Sequence, residues 1–397
     1  MLGSRTSQTF GMMFTPVALQ IAAVRQGHGE PLVVGAILFA SFLPAIFLGP
    51  LMGAVVERCD KRKTMFWSQL ARVAVLLLVT LSASVAMFVA VAFLMGIAEV
   101  FYRPAYRALL PEIAAGADLH VRATGLVTAG EKVGSLVGVA LGTLIVIAVG
   151  VRLAFALDAF VLGISALSVL AVPASLTGKA HGQVVTGTWH GMMEGFQAAR
   201  ERPLAREILV SVGLVTVGIV MINPLLVLIP HDLLHAPVWW FGVFEFAQGA
   251  AMGVLGALLA GGLNMPRRRV ILLGFLGTGV AILLISLSHS VALDLLAYIG
   301  FGFANMAWLA PVLALYRLDY PLELRARGGS VYSMVVGVGQ ALGVAAGGLA
   351  AAALSVQAGL LLSGAWTVVV TALLAVFGLL RAADAQGVGV HATSTPA

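Results

Sequence analysis

Gly49-Pro-Leu-Met-Gly53-Ala-Val-Val-Glu57-Arg58-Cys59-Asp60-Lys61-Arg62-Lys63 closes a long apolar run and passes straight into six charged residues out of seven. An apolar helix that ends on four cations reads as a membrane span stopping at the cytoplasmic face, where Lys and Arg accumulate. Gly49 and Gly53 stand one helical turn apart, so a second helix can approach closely just above the charges.

Composition agrees with a chain built for lipid. Of 397 residues, 60% are hydrophobic and 10% are charged, with a mean hydropathy of +1.02. A soluble domain carries about 25% charged residues, so this chain lacks the polar surface to face water all round. Apolar runs of span length recur at about 6–24, 32–56, 64–83, 86–106, 122–149, 151–173, 208–229, 237–263, 270–288, 290–315, 328–354 and 358–380. Twelve spans place both termini on one side. Of the 23 Lys and Arg residues, only Arg25 and Arg152 fall on the opposite side, while Arg72 and Lys132 lie inside spans. That bias makes the termini cytoplasmic, and it makes the net charge of +6 an orientation signal and not a nucleic-acid footprint. The single cysteine, Cys59, excludes an internal disulfide. The first run is the weakest span, with Gln8, Pro16 and Gln20 in it, and no small-residue cleavage site follows it.

The chain divides into residues 1–173, a first six-helix bundle; 174–206, a polar linker; 207–381, a second bundle; and 382–397, a tail. In the linker Trp189, Met192, Met193 and Phe196 recur at helical spacing, which predicts an amphipathic helix lying on the inner membrane surface. The bundles look like copies offset by about 205 residues, which carries Arg122 onto Arg327 and Gly142 onto Gly347. Gly130, Gly134, Gly138 and Gly142 form one small-residue stripe; Gly339, Gly343 and Gly347 form its counterpart. Their spacing predicts tight helix packing, placed at this level where the halves meet.

The Gly53, Glu57, Arg58, Lys61, Arg62 pattern resembles the loop between helices 2 and 3 of the major facilitator superfamily, with Asp60 where that signature has a second Gly. Arg103-Pro104-Ala105 with Leu109-Leu110-Pro111-Glu112, and Pro321-x-x-x-Arg325-x-Arg327-Gly328, resemble the efflux branch related to siderophore (enterobactin) and macrolide exporters. The resemblance implies an all-α polytopic membrane protein, with twelve helices in two pseudo-symmetric bundles that rock about a midplane cavity. It also implies a cytoplasmic gate formed by Gly53, Glu57, Arg58, Lys61, Arg62 and Arg103, with Glu57 set against the N-terminus of the eleventh helix. The antiporter signature of the fifth span is incomplete, reading Gly138-Val139-Ala140-Leu141-Gly142-Thr143.

Ionisable groups in hydrocarbon cost about 2.5–3.5 kcal/mol each on insertion scales, so each needs a partner or a job. Glu131 stands roughly 14 Å above the inner edge and shares a polar face with Thr124, Thr128 and Ser135. It reads either as a proton carrier lining water or as half of an ion pair. Asp158 and Glu245, about two turns below the outer surface, are further proton-coupling candidates. Glu99 is also one, with a structural bridge to Arg103 as its other reading. Arg72, near mid-span, must find an acid or reach for the interface. Solute contacts are expected from Phe14, Phe39, Thr128, Ser135, Asn223, Phe244, Asn305, Trp308 and Gln340. Asn223-Pro224 is expected to break the seventh helix near its middle. So sparse a polar set suits an amphipathic solute better than a sugar.

Gly-x-x-x-x-Gly-Lys-Ser/Thr and Gly-x-Ser-x-Gly are both absent, which removes direct ATP coupling and the serine-hydrolase elbow. His231 and His235 lack the glutamate of a zinc protease. The expected protein is no enzyme and holds neither cofactor nor metal. Its partners are protons, a small amphipathic solute and the lipid bilayer, and it works as a monomer in the cell membrane, a bacterial inner membrane. A sensor or scaffold without flux, a lipid flippase and an importer are the alternatives.

Overall fold

The structure, a computed structural model, describes residues 14–24, 30–48, 59–81, 84–113, 117–170, 188–260, 267–321 and 324–377. All regular structure among them is helical. The helices are α1 (Phe14–Val24), α2 (Pro31–Phe47), α3 (Lys61–Leu81), α4 (Val85–Ile113), α5 (Ala117–Leu170), α6 (Thr188–Glu201) and α7 (Pro203–Met221). Then follow α8 (Trp239–Ala260), α9 (Arg267–Leu287), α10 (Val291–Leu318), α11 (Arg325–Ala353) and α12 (Val356–Val376). Among the described residues eight candidate spans are long and apolar enough to cross a membrane, and α1 and α2 are shorter apolar helices.

Local chemistry explains several boundaries. Pro31 and Pro203 open α2 and α7, where a missing amide proton costs nothing. The Ser355 hydroxyl accepts from the Ala358 amide at 3.0 Å and caps α12. The expected fifth and sixth spans run on as α5, interrupted only at Gly150, whose φ of +81° is open to glycine and strained for other residues. The seventh span differs from expectation. α7 begins at residue 203 and ends at Met221, so Asn223-Pro224 stands beyond its end, followed by turns and a π-helical turn at Ile229–Leu233. Proline cannot donate to the preceding turn, and here the chain stops the helix instead of kinking it.

Two compact units are present: Met1–His190 with Pro237–Phe246, and Gly191–Ala236 with Ala247–Ala397. In the first, α4 packs on α2 and α3, and α3 on α5. In the second, α7 packs on α11 and α12, and α9 on α10 and α12.

Glycines set the closest approaches, and those approaches repeat at the spacing of the sequence copies. A Cβ at Gly96 of α4 would stand 2.6 Å from the Ser41 carbonyl of α2; 206 positions on, one at Gly302 of α10 would strike the Gln248 carbonyl of α8. Gly142 lies against Phe14 of α1; 205 positions on, Gly347 of α11 lies against the Met221 carbonyl at the end of α7. Gly339 and Gly343 meet the Gly213 and Val217 carbonyls. Gly142 therefore faces α1, and Gly339, Gly343 and Gly347 face α7. Small-residue spacing announces close approach without naming the neighbour. Because a carbonyl oxygen on a helix cannot step aside, Gly347→Leu is expected to cost about 3 kcal/mol, the upper end for overpacking. Thermal unfolding in detergent reads the loss; an unchanged transition would refute the seam.

The linker helix α6 belongs with the second unit. Gly195 presses on the Arg327 backbone, Ala198 and Ala199 are buried, and Glu194 pairs with Arg327. Met193 is 43% exposed, so the face docked on the second unit is the small-residue face. Arg202 secures the helix: its guanidinium donates to the Asp319 carbonyl at 3.0 Å and to the Ala198 carbonyl at 3.1 Å, and lies over the Tyr320 ring. The Asp319 carboxylate accepts from the Ala205 amide at 3.1 Å, a charge-assisted bond in the first turn of α7. Burial pushes the Tyr320 hydroxyl above its ordinary range.

Candidate functional site

Charged and polar side chains are brought together in the interior of the first unit. Along α3, Gln69 and Arg72 share a face at a spacing of three; along α5, Asp158 and Ser165 share one at a spacing of seven. Packing of α3 on α5 turns the two faces together. Gln69 donates to the Ser165 hydroxyl at 3.1 Å, and Arg72, whose side chain is 4% exposed, pairs with Glu99 of α4 at 3.2 Å. Glu99 also accepts from Arg103 at 2.5 Å, four residues on. Asp158 is 1% exposed and accepts from the Thr15 hydroxyl of α1 at 2.5 Å; Arg72 lies within its electrostatic reach. Its other oxygen, Oδ1, has no hydrogen-bond partner among the described residues.

A buried carboxylate oxygen without a donor is costly, and a guanidinium in hydrocarbon is costlier still unless paired. The string Thr15–Asp158, Arg72, Glu99–Arg103 is thus a set of charges that satisfy one another only in part. A proton on Asp158 would remove a charge from within reach of Arg72, and the open oxygen provides a place to hold it.

The second unit carries no such string at the matching places. At an offset of 205 Arg72 becomes Gly277, and at the offset of 206 that pairs Gly96 with Gly302 Glu99 becomes Asn305; a Cβ on Gly277 would lie 3.1 Å from that of Ala304. Asp158 becomes Ser363, whose hydroxyl donates to the Gly218 carbonyl of α7 at 2.7 Å. Each equivalent helix pair is closed there by neutral contacts.

Other expected residues fall as follows. Gly53, Glu57 and Arg58 of the gate pattern lie outside the described residues. Lys61 is buried at the start of α3, and Arg62 donates to the Leu170 carbonyl at the end of α5. Glu131, Thr128 and Ser135 lie on α5, their side chains outside what is described. Glu245 is partly buried, with Oε1 lacking a hydrogen-bond partner among the described residues. Phe14, Phe244 and Trp308 are core residues at 1%, 0% and 6% exposure; Phe14 fills the space beside Gly142, and the Trp308 ring lies tilted against Phe275, centroids 5.0 Å apart. Phe39, Asn223, Asn305 and Gln340 are partly exposed. Thr15, Gln69 and Ser165 were not anticipated, although the polar spacings on α3 and α5 carried the signal.

A model of the Major Facilitator Superfamily matches residues 1–263 of the chain. The uncharacterized MFS-type transporter YfiS of Bacillus subtilis (strain 168) is 24% identical over 379 residues, covering 92% of this chain and 89% of that one. Among solved structures, a mutant form of the nucleoside transporter NupG superposes with a TM-score of 0.80 at 12% identity, covering 96% of this chain and 99% of the other. A bacterial homologue of the human lysosomal transporter Spinster, inward-facing and unoccupied, superposes with a TM-score of 0.73 at 15% identity, covering 96% and 97%. At such identities the likeness is one of fold.

Proposed function

The chain belongs to the Major Facilitator Superfamily and is therefore a secondary membrane transporter, and on that premise we propose that it exchanges protons for a small amphipathic solute, expelling it by alternating access. Both termini and the arginine-rich helix ends lie on the cytoplasmic side in this reading. Asp158 carries the proton, and Arg72, engaged with Glu99 and within reach of Asp158, senses whether it is there.

The difference between the two units carries the proposal. A fold that has Gly277, Asn305 and Ser363 at the equivalent places has no structural need for two acids and an arginine there. Buried charges that packing does not require mark ion or proton pathways. The outward direction is supported by the Arg103-Pro104-Ala105 and Pro321-x-x-x-Arg325-x-Arg327 patterns, which resemble those of siderophore and macrolide exporters. The scarcity of other polar groups within the spans supports an amphipathic, drug- or siderophore-like solute.

Purified protein in liposomes is expected to move such solutes when a pH gradient is imposed, and to move protons when a solute gradient is imposed. A panel of amphipathic compounds that leaves internal pH and solute content unchanged, in vesicles shown to hold folded protein, would favour a scaffold without flux.

A further inference from the structure

An open groove of about 670 Å³ runs along the second unit between α7 and α11, beneath the end of α6. Its lining is apolar except for Arg200 and Arg206 at one end. Both arginines are exposed, and neither has a side-chain partner among the described residues. Val210, Leu214 and Leu342 of its walls are 46%, 42% and 56% exposed, so the groove presents a continuous apolar surface.

Its dimensions narrow the choice of occupant. From Arg206 to Val217 the α7 wall extends about 16 Å at 1.5 Å per residue. The hydrocarbon of one leaflet is about 15 Å deep, half of a core of about 30 Å. A channel one leaflet deep, apolar along its length and cationic at its mouth, is complementary to an acyl chain with an anionic head. We propose that it binds an anionic phospholipid of the inner leaflet, one chain in the groove and the phosphate against Arg200 and Arg206. The inference rests on the orientation proposed above, which puts these arginines at the cytoplasmic leaflet, where anionic lipids attract basic side chains. Because Phe196 and Ala199 of α6 also line the groove, the bound lipid would brace the linker helix against α7 and α11.

Native mass spectrometry of the full chain tests this without reference to flux. Protein delipidated in detergent is offered equimolar phosphatidylglycerol and phosphatidylcholine. Retention is expected to favour phosphatidylglycerol by about thirty-fold, roughly fivefold for each arginine. Arg200→Gln with Arg206→Gln should erase the preference while elution and melting temperature stay unchanged. Val338→Trp, which fills the groove from an exposed wall position, should reduce retention of phosphatidylglycerol whether or not the arginine variant folds. Equal retention of the two lipids by the unaltered protein would overturn the proposal, as would a preference that survives the arginine changes. Unchanged retention by Val338→Trp would do the same. Displacement by glycerol phosphate would show a free-anion site, and displacement by a transported amphipath alone would show a solute site; either outcome ends the lipid assignment. Labelling of Arg200→Cys from the outer face of intact cells would refute the orientation separately, leaving the lipid preference itself still readable in detergent.

Discussion

Asp158→Asn is expected to reduce proton-driven flux to the level of protein-free liposomes while solute-for-solute exchange continues and the protein remains folded. The amide keeps an oxygen to accept from the Thr15 hydroxyl, so the contact between α1 and α5 survives. It cannot take up or release a proton, so it imitates one state of the acid permanently. Loss of a single charge-assisted bond costs about 1.5–3 kcal/mol, and the amide keeps part of it, too little to unfold a well-packed bundle. Ser363 holds the equivalent contact in the other unit with a neutral hydroxyl, which argues independently that folding does not need the charge. Side-by-side measurement of gradient-driven uptake and counterflow separates the outcomes. Full gradient-driven flux by Asp158→Asn would remove the residue from coupling. If Glu131→Gln then abolished that flux, the proton would belong to Glu131.

The second large effect concerns the Arg72–Glu99 pair. Glu99→Ala leaves an arginine whose side chain is 4% exposed without its carboxylate, and stranding a buried charge in this way costs about 3–5 kcal/mol. Arg72→Ala should cost less, because Glu99 is 17% exposed and keeps its bond to Arg103 at 2.5 Å. The double change Arg72→Ala with Glu99→Ala removes both charges at once and leaves neutral side chains, as the second unit has at Gly277 and Asn305. It should therefore be more stable than Glu99→Ala alone by about 2 kcal/mol, a coupling typical of residues in direct contact. Reversible unfolding of the three variants in mixed micelles gives the cycle. Additive losses would mean that the two side chains do not sense each other in the folded protein. Recovered stability without recovered transport is the result expected of a pair held for mechanism.

Length, hydropathy and the 205-residue repeat were legible in the chain because each depends on local sequence. A helix must be long enough to cross about 30 Å and apolar enough to stay there, whatever its neighbours are. The stop at Arg58 and Lys61–Lys63, the linker helix and the duplicated Gly142 and Gly347 all follow from reading in one dimension. Arg72 could be recognised as a residue in need of an acid, since the cost of an isolated charge in hydrocarbon does not depend on the fold.

Which acid it would be was settled only by packing. Glu99 lies 27 residues away on α4, and its spacing to Arg103 showed half of its engagement. Pairing with Arg72 requires the rotation of α3 and α4 about their own axes, which side chains on every adjoining helix set together. The glycine stripes make the same point: their spacing announces a close neighbour, while the carbonyls of Gly213, Val217 and Met221 that receive them became known only with α7 in place. Likewise the meaning of Asp158 came from comparing it with Ser363 across the repeat, for a buried charge becomes informative once the fold has shown that a hydroxyl suffices at the equivalent contact.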